Sequence, residues 1–476
     1  MQNKWFKIAL VLIVAFLSAR LFLLAVDVAS NISEHPIVSL LMRLAFLAIL
    51  TVLVLLRKKE NIMYLFICAF PFLKISFNGI SILTIFAFLL LFLYFKEIAK
   101  YLAGRKDIFI MPFMVLFLSM IYATVIAKYP LESLAYLIFF LSLFTIYLVL
   151  TILLKDEVVR KNVIVIMMFI LAFSVFVSLS QIIFGIGKIK LFFGNYGNNV
   201  NVYGDAARPP SIFWEAQFAG LYFAMMIFLC LGAANLFLKR WLAIFLSILS
   251  VFAMILTGTR MAFLALACGL IFIQLFAFKL KKLFFAIFIG LVVLIFVGTG
   301  FYNNIVPMQV KQRLTARHLI GSFDYRLNLW KRSFSILPSN PLGIGMGGSN
   351  VYEAASKHHV YLAKQYQRFD DPLIGTQFDS TYLDILYPLG VLGFFGFFYI
   401  MFTFITVGIR MCISETNIGS RGFVLYLIAL MVCWMIGITT SHVFYDNQAM
   451  AFFVIFVALL SAEYNKFSHD FKTKNN

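Results

Sequence analysis

Apolar runs of nearly twenty residues recur from one end of the chain to the other and constrain its fold more than any other feature. A helix needs about 20 mostly apolar residues to cross the hydrocarbon core of a bilayer. The chain is 63% hydrophobic and only 12% charged, and its mean hydropathy is +0.97. Because no alternating barrel pattern appears, the sequence predicts an all-α, polytopic membrane helical bundle.

The runs predict about fourteen transmembrane helices. Residues 61–95 fit one long span or two short ones, and only two keep the flanking basic clusters on one side, so we predict two spans or a re-entrant pair. We expect a bundle over 1–301, one large extracytoplasmic loop over 302–380 with amphipathic helices, and the rest of the bundle over 381–476. The predicted spans are 6–26, 37–56, 61–76, 80–95, 108–127, 132–153, 162–184, 213–238, 241–257, 261–278, 283–301, 381–408, 423–440 and 447–462.

Lysine and arginine cluster on alternate connections between these spans, for example at 57–59, 279–282 and 410–421. By the positive-inside rule, both termini are predicted to be cytoplasmic. The net charge of +19 is then explained by topology and by contact with anionic lipids. We expect no nucleic-acid partner.

The same topology places arginines on the outer side, against the general trend. Arg208 precedes Pro209 and Pro210, which stiffen the approach to the next span. Arg260 begins a helix after Thr259, a candidate N-cap, where free N–H groups already favour an anion. A phosphate or pyrophosphate ligand explains both guanidinium groups, although contact with lipid headgroups is the alternative for each.

The outer segment 302–380 is basic and polar. Apolar residues at spacings of four and three over 323–337, with Arg326 between them, predict an amphipathic helix in the interface, which could contact substrate or form a lid. The glycine-rich stretch 341–348 predicts a turn that allows close backbone approach. Asp379 lies where the segment meets the next span, as a general base or a helix cap. Asp384 should face the bundle interior.

Metal chemistry is not indicated, and we expect neither a metal nor a cofactor. The histidines are isolated, except for the adjacent His358 and His359, which diverge on a helix. The outer loops carry no D-x-D motif, which argues against a metal-dependent transferase that uses nucleotide sugars. Glu215 could orient Arg208, meet a sugar hydroxyl, or form a simple interfacial ion pair.

Taken in order, these blocks resemble the bacterial O-antigen ligases and O-antigen polymerases over the second half of the chain. The resemblance implies a metal-independent, inverting glycosyltransferase that moves glycan from undecaprenyl pyrophosphate to an acceptor sugar at the outer face of the plasma membrane. Catalytic roles would fall to Arg208, Arg260 and Asp379, and substrate binding to Arg326, Glu215 and Tyr382. The blocks that carry the resemblance are 208–215, 256–260, 325–330 with 340–345, and 379–383.

Ligases usually have histidine where this chain has Asp379, and this difference favours a polymerase, with O-antigen, capsule and exopolysaccharide all open as the product. A ligase that uses a lipid A-core acceptor remains open. A lipid-linked oligosaccharide flippase is the rival from another class, although the chain has no internal repeat. The resemblance implies an undecaprenyl-pyrophosphate-linked oligosaccharide as the substrate partner. A chain-length regulator and a flippase of the same pathway are further expected partners.

Overall fold

The structure, a computed structural model, describes residues 60–70, 76–77, 80–104, 107–184, 209–213, 215–276, 330, 334, 337–351, 380–414 and 418–475. Helices fill most of these ranges, with one short antiparallel hairpin, β1 (Ser76–Phe77) and β2 (Ile80–Ser81). The helices are α1 (Glu60–Cys68), α2 (Ile82–Ala103), α3 (Ile110–Ile126), α4 (Pro130–Leu153), α5 (Glu157–Phe184), α6 (Ala216–Leu236), α7 (Arg240–Thr257), α8 (Arg260–Phe276), α9 (Thr381–Ser414), α10 (Ile418–Gly437) and α11 (Asn447–Asn475), with 3-10 turns at Leu337–Ser339 and Ile438–Thr440.

Eight helices of the described residues are long and apolar enough to cross a membrane, namely α2, α4, α5, α6, α7, α9, α10 and α11. The apolar helices α3 and α8 are slightly shorter, with 17 residues each. The prediction of an all-α polytopic membrane protein is confirmed. Predicted spans 6–26, 37–56 and 283–301 lie outside the described residues, so the count of fourteen stays a prediction.

The stretch predicted as span 61–76 begins with a short helix. The nine residues of α1 cover about 14 Å, roughly half of the hydrocarbon core. Asn162, near the start of α5, donates to Tyr64 Oη at 3.1 Å, whereas the Phe70 carbonyl accepts from Gln448, at the start of α11. Tyr64 therefore lies near the start of α5 and Phe70 near the start of α11, and the choice between two spans and a re-entrant pair stays a prediction.

The two ends of the bundle carry different connections. We call the end with Tyr129, Ser211 and Ser441 the loop end, and the opposite end, with Lys155 and Lys239, the basic end. Between them, α6 and α11 are the most buried spans, each 78% buried over its apolar window. The core is rich in aromatic rings, which fill the space between helices that are apolar on all sides.

A buried polar cluster ties helices together at the basic end. Asp107 Oδ2 accepts from Tyr101 at 2.9 Å and from Tyr147 at 2.5 Å. Arg160 Nη1 lies 2.9 Å from Glu463 Oε1, with side chains only 4% and 3% exposed. Such groups are costly in an apolar interior unless they are paired. The Asp107 contacts therefore join α2 and α4, and the Arg160–Glu463 pair joins α5 and α11.

Candidate active site at the loop end

Arg260 stands where two helices begin side by side. Helix α7 ends at Gly258, which has a left-handed φ of 59°, and α8 starts two residues later. Thr259 Oγ1 donates to the Ala216 carbonyl at 2.8 Å, so the turn rests on the first residue of α6. The positive ends of two helix dipoles therefore meet beside the half-buried guanidinium of Arg260, which favours an anion there.

A close fit makes this meeting possible. A Cβ on Gly220, in the second turn of α6, would stand 2.6 Å from Thr259 Cβ and 2.7 Å from Thr257 Oγ1. Both are contacts that a side chain cannot make, so the absence of a side chain at Gly220 lets the turn approach α6. The position of Arg260 is thus set by the packing of α6 against the turn between α7 and α8.

Glu215 lies at the same corner and contacts a histidine from the last connection of the chain. Glu215 takes the N-cap position of α6 in an extended conformation, without a side-chain capping bond. Its Oε1 lies 2.9 Å from His442 Nε2, and the two side chains are 29% and 20% exposed. Glu215 is therefore in contact with His442, and the roles predicted for Glu215 stay predictions.

The start of α9 is fastened to the connection that carries His442. The backbone N–H of Thr381 donates to the Ser441 carbonyl at 2.8 Å, and Thr381 Oγ1 accepts from the N–H of Val443 at 3.0 Å. The Ser380 carbonyl accepts the first helical bond, from Asp384, so Ser380 holds the N-cap position. Asp379 precedes Ser380 in the sequence and lies outside the described residues, so its two predicted roles, base or cap, stay predictions.

Tyr382 and Asp384 face into the protein. The Tyr382 ring stacks on Phe398 with centroids 5.2 Å apart, and its hydroxyl donates to the Met435 carbonyl at 2.7 Å. These contacts give Tyr382 a packing role, and its predicted contact with substrate stays a prediction. Asp384 is 4% exposed, so the prediction that it faces the interior is confirmed.

Helix α9 is broken two turns after its start. Pro388 lacks the N–H that would donate to the Asp384 carbonyl, and Tyr445 Oη donates to that carbonyl at 3.3 Å instead. Burial, with smaller contributions from neighbouring acidic groups, holds the pKa of Tyr445 well above its usual value, so the phenol remains a donor. Gly390 then leaves the helical region, with φ 67° and ψ −168°.

The glycine-rich stretch 341–348 completes this break, and we call residues 341–351 the glycine strap. The N–H groups of Ile344 and Gly345 donate to the Pro388 carbonyl at 3.3 and 3.1 Å, and the N–H of Val391 donates to the Pro341 carbonyl at 2.9 Å. The strap thus supplies the backbone partners that α9 loses at its break. Close backbone approach, as predicted for this stretch, is confirmed.

The other side of the strap is bound to the start of α4. Asn350 Oδ1 accepts from the Tyr129 N–H at 2.9 Å, and Ser133 Oγ donates to the Met346 carbonyl at 2.8 Å. Glu132 accepts from the Ser349 N–H at 3.2 Å. Part of the outer segment is therefore anchored to the bundle on both α4 and α9.

Residues 209–213 form a buried, non-helical segment before α6. Gln181 makes a two-way pairing with Ser211, accepting from its N–H at 2.9 Å and donating to its carbonyl at 3.0 Å. Gln448 donates to the Ile212 carbonyl at 3.2 Å. Ser211 has a left-handed φ of 59°, which is uncommon for a residue with a side chain. These glutamines fix the chain between Pro209 and Glu215.

Only some of the predicted site residues lie among the residues that the structure describes. Arg260 and Glu215 share one corner, and Tyr382 stands at the start of α9. Arg208, Arg326 and Asp379 lie outside the described residues, as does most of the predicted amphipathic helix 323–337, whose last residue begins the 3-10 turn Leu337–Ser339. Among the described residues, no group of three or more His, Cys, Asp or Glu side chains could hold a metal.

Sequence reasoning missed His442, Gln181 and Gln448. His442 is isolated in the sequence, because its partner Glu215 is distant in the chain and no spacing rule connects them. Buried glutamines near helix ends are a weak signal, but each stands in an apolar run where an amide needs a partner.

The fold and the loop-end site define a multi-pass membrane protein with an anion-favouring corner at one end of its bundle. Residues 243–398 match the family model described as O-antigen ligase. The match supports the O-antigen ligase and polymerase family, and the resemblance seen in the sequence is confirmed. It includes Arg260, the glycine strap and the start of α9, and it supports a glycosyltransferase-like function that acts on lipid-linked glycans. No curated protein matches the chain significantly.

Proposed function

We propose that the protein is a polymerase that transfers glycan repeat units from undecaprenyl pyrophosphate to a growing lipid-linked polysaccharide at the outer face of the plasma membrane. The observation that carries the proposal is the position of Arg260. It begins α8 beside the first residue of α6, inside the residues that match the family model. A guanidinium at two adjacent helix N-termini suits a diphosphate better than any neutral group.

The chemistry needs few groups. The acceptor hydroxyl oxygen attacks the anomeric carbon, the bond from that carbon to the diphosphate breaks, and the configuration inverts. Arg260 and Arg208 stabilise the charge that develops on the leaving diphosphate, and Asp379 takes the proton of the acceptor hydroxyl. Arg326 lines the acceptor side or supports the outer segment, and Tyr382 holds the start of α9. The proposed reaction uses no metal ion.

In this proposal the loop end faces outward, and both chain termini are cytoplasmic. The bilayer delivers the lipid donor sideways to the bundle, which accounts for a transferase built mainly of apolar helices. Anionic lipids contact the basic end, where Lys155, Lys239 and Arg240 are exposed. A chain-length regulator and a flippase of the same pathway are the proposed protein partners.

A ligase is the second candidate, because the matching family model is described as O-antigen ligase. The two reactions share a donor and differ in the acceptor. A polymerase extends one lipid-linked glycan with another, whereas a ligase needs a separate lipid acceptor of the lipid A-core type.

The test is reconstitution of the full-length protein in lipid vesicles that contain only lipid-linked repeat units. A polymerase should produce a ladder of longer lipid-linked glycans on a gel. A single glycosylated product that appears only after addition of a lipid A-core acceptor, without a ladder, identifies a ligase. If the protein moves lipid-linked glycan across the vesicle membrane and forms no new glycosidic bond in either mixture, it is a flippase and neither a polymerase nor a ligase.

A further inference from the structure

The Glu215–His442 pair differs from the buried ion pair at the basic end. The Glu215 and His442 side chains keep 29% and 20% of their surface exposed, whereas Arg160 and Glu463 keep only 4% and 3%. The buried pair is enclosed by the bundle, where only its partners can reach it. The loop-end pair remains accessible to a molecule that approaches from that end.

The position of Glu215 is unusual for a carboxylate at a helix start. An acidic side chain there commonly accepts from the first N–H groups of its own helix, but Glu215 makes no side-chain capping bond. It holds His442 Nε2 at 2.9 Å instead. A carboxylate on one ring nitrogen fixes the orientation of an imidazole and sets the direction of the other nitrogen.

The charges at this corner favour a different ligand at Arg260 from the one they favour at the Glu215–His442 pair. The negative charge of Glu215 disfavours a diphosphate in direct contact with the pair, whereas Arg260, at the start of α8, attracts one. Neutral sugar hydroxyls can donate to a carboxylate and can both donate to and accept from an imidazole. The chemistry of the pair therefore suits a sugar next to the anion site.

The pair also stands at the start of α9. His442 directly follows Ser441, whose carbonyl accepts from the Thr381 N–H at 2.8 Å. Thr381 is two residues after Asp379 in the chain, and Asp379 is the proposed base. The pair therefore adjoins the start of α9, the helix that follows the proposed base in the sequence.

We infer that His442 binds a hydroxyl group of the acceptor sugar and that Glu215 is a positioning residue that orients its ring. The inference rests on the proposed function and adds an acceptor subsite beside the diphosphate site at Arg260. It assigns a role to the connection before α11, which lies outside the matched residues 243–398.

The experiment compares two competitors in vesicles of phosphatidylethanolamine and phosphatidylglycerol that contain the full-length protein and its lipid-linked donor. One competitor is the repeat unit released from the lipid by mild acid, which has no diphosphate. The other is inorganic pyrophosphate, which has no sugar. The variants are His442→Gln and Glu215→Gln, with Glu157→Gln, an exposed carboxylate at the basic end, as the matched control.

We expect His442→Gln to raise the half-inhibitory concentration of the released repeat unit about tenfold, the effect of losing one good hydrogen bond, and to leave that of pyrophosphate unchanged. Glu215→Gln should raise the half-inhibitory concentration of the released repeat unit by less. Arg260→Lys should change the half-inhibitory concentration of pyrophosphate alone. If His442→Gln raises the half-inhibitory concentrations of both competitors equally, or changes neither, the proposed acceptor subsite is wrong. Wild-type vesicles that form no new glycan bond overturn the proposed function instead, so the two failures are distinguishable.

Discussion

At the scale of single residues, Arg260 is distinguished by its surroundings more than by its charge. Other arginines also begin or flank helices, for example Arg240 at the start of α7, but that residue is exposed at the basic end. Arg260 is half-buried where the first turns of α6 and α8 meet. Two helix dipoles and a guanidinium act on the same small volume there, and partial burial increases their effect on an anion.

Replacement of Arg260 by alanine should lower the transfer rate by about a hundredfold or more, the usual cost of losing one charge-stabilising donor. Arg260→Lys should retain part of the activity, because it keeps the charge but loses the two-pronged geometry. Product formation per amount of purified protein in vesicles measures both effects. Arg240→Ala is the matched control and should behave like the wild type. Full activity in Arg260→Ala would remove the leaving-group role.

Asp379 is the second residue whose role can be decided by substitution. Asp379→Asn should lose most transfer activity, since an amide cannot accept the proton, and Asp379→Glu should keep some. The same vesicle assay measures both variants. A residue that only caps α9 should instead affect stability and leave the activity of folded molecules unchanged. Normal product from Asp379→Asn would therefore end its assignment as the base.

The sequence indicates Arg260 and Glu215 as candidate site residues, but it does not predict the contact between Glu215 and His442. Arg260 is a candidate because a charged residue at the predicted outer side of an apolar chain is costly unless a partner or a ligand compensates its charge. His442 is not, because the pairing depends on how α6 and the connection before α11 pack. The same limit applies to Tyr129 and Asn350, which are 221 residues apart and hydrogen-bonded. Such contacts are set by tertiary structure, which no local pattern encodes.

At the scale of elements, hydropathy predicted the helices well and their interruptions poorly. The spans predicted at 132–153 and 241–257 correspond to α4 and α7 within two residues at each end. The predicted span 381–408 corresponds to α9, yet its break at Pro388 and Gly390 was not anticipated. A hydropathy window averages over a proline and cannot detect that the glycine strap and Tyr445 replace the missing backbone partners.

The glycine strap leads to a prediction at this scale. Gly345→Ala should destabilise the protein by about 1 to 3 kcal/mol, because φ is +98° and a Cβ would stand 2.5 Å from Ala127 Cβ. Thermal unfolding in detergent, followed by tryptophan fluorescence, measures the loss. Gly104→Ala is the control, since its φ is −73° and the nearest atom to an added Cβ is 3.4 Å away. Equal unfolding midpoints for both variants would contradict the proposed bracing of α9.

At the scale of the whole molecule, the two ends of the bundle use polar groups differently. At the basic end, Asp107, Arg160 and Glu463 are buried and satisfied by one another or by tyrosines. At the loop end, Arg260, Glu215 and His442 retain exposure. We propose that this difference reflects a structural role at the basic end and a ligand-binding role at the loop end. Changes at the basic end should therefore alter stability and leave the transfer reaction of folded molecules intact.

The buried pair at the basic end provides the test of that separation. Arg160→Met should cost about 3 to 5 kcal/mol, because it leaves the Glu463 carboxylate buried without its partner, and Glu463→Met should do the same to Arg160. The double variant should recover most of the lost stability, since both charges are removed together. Thermal unfolding in detergent ranks the stability of the wild type, the two single variants and the double variant. Product formed per folded molecule measures their activity. Additive losses in the double variant would show that the two charges do not act as a pair. A fall in activity per folded molecule would place part of the transfer machinery at the basic end.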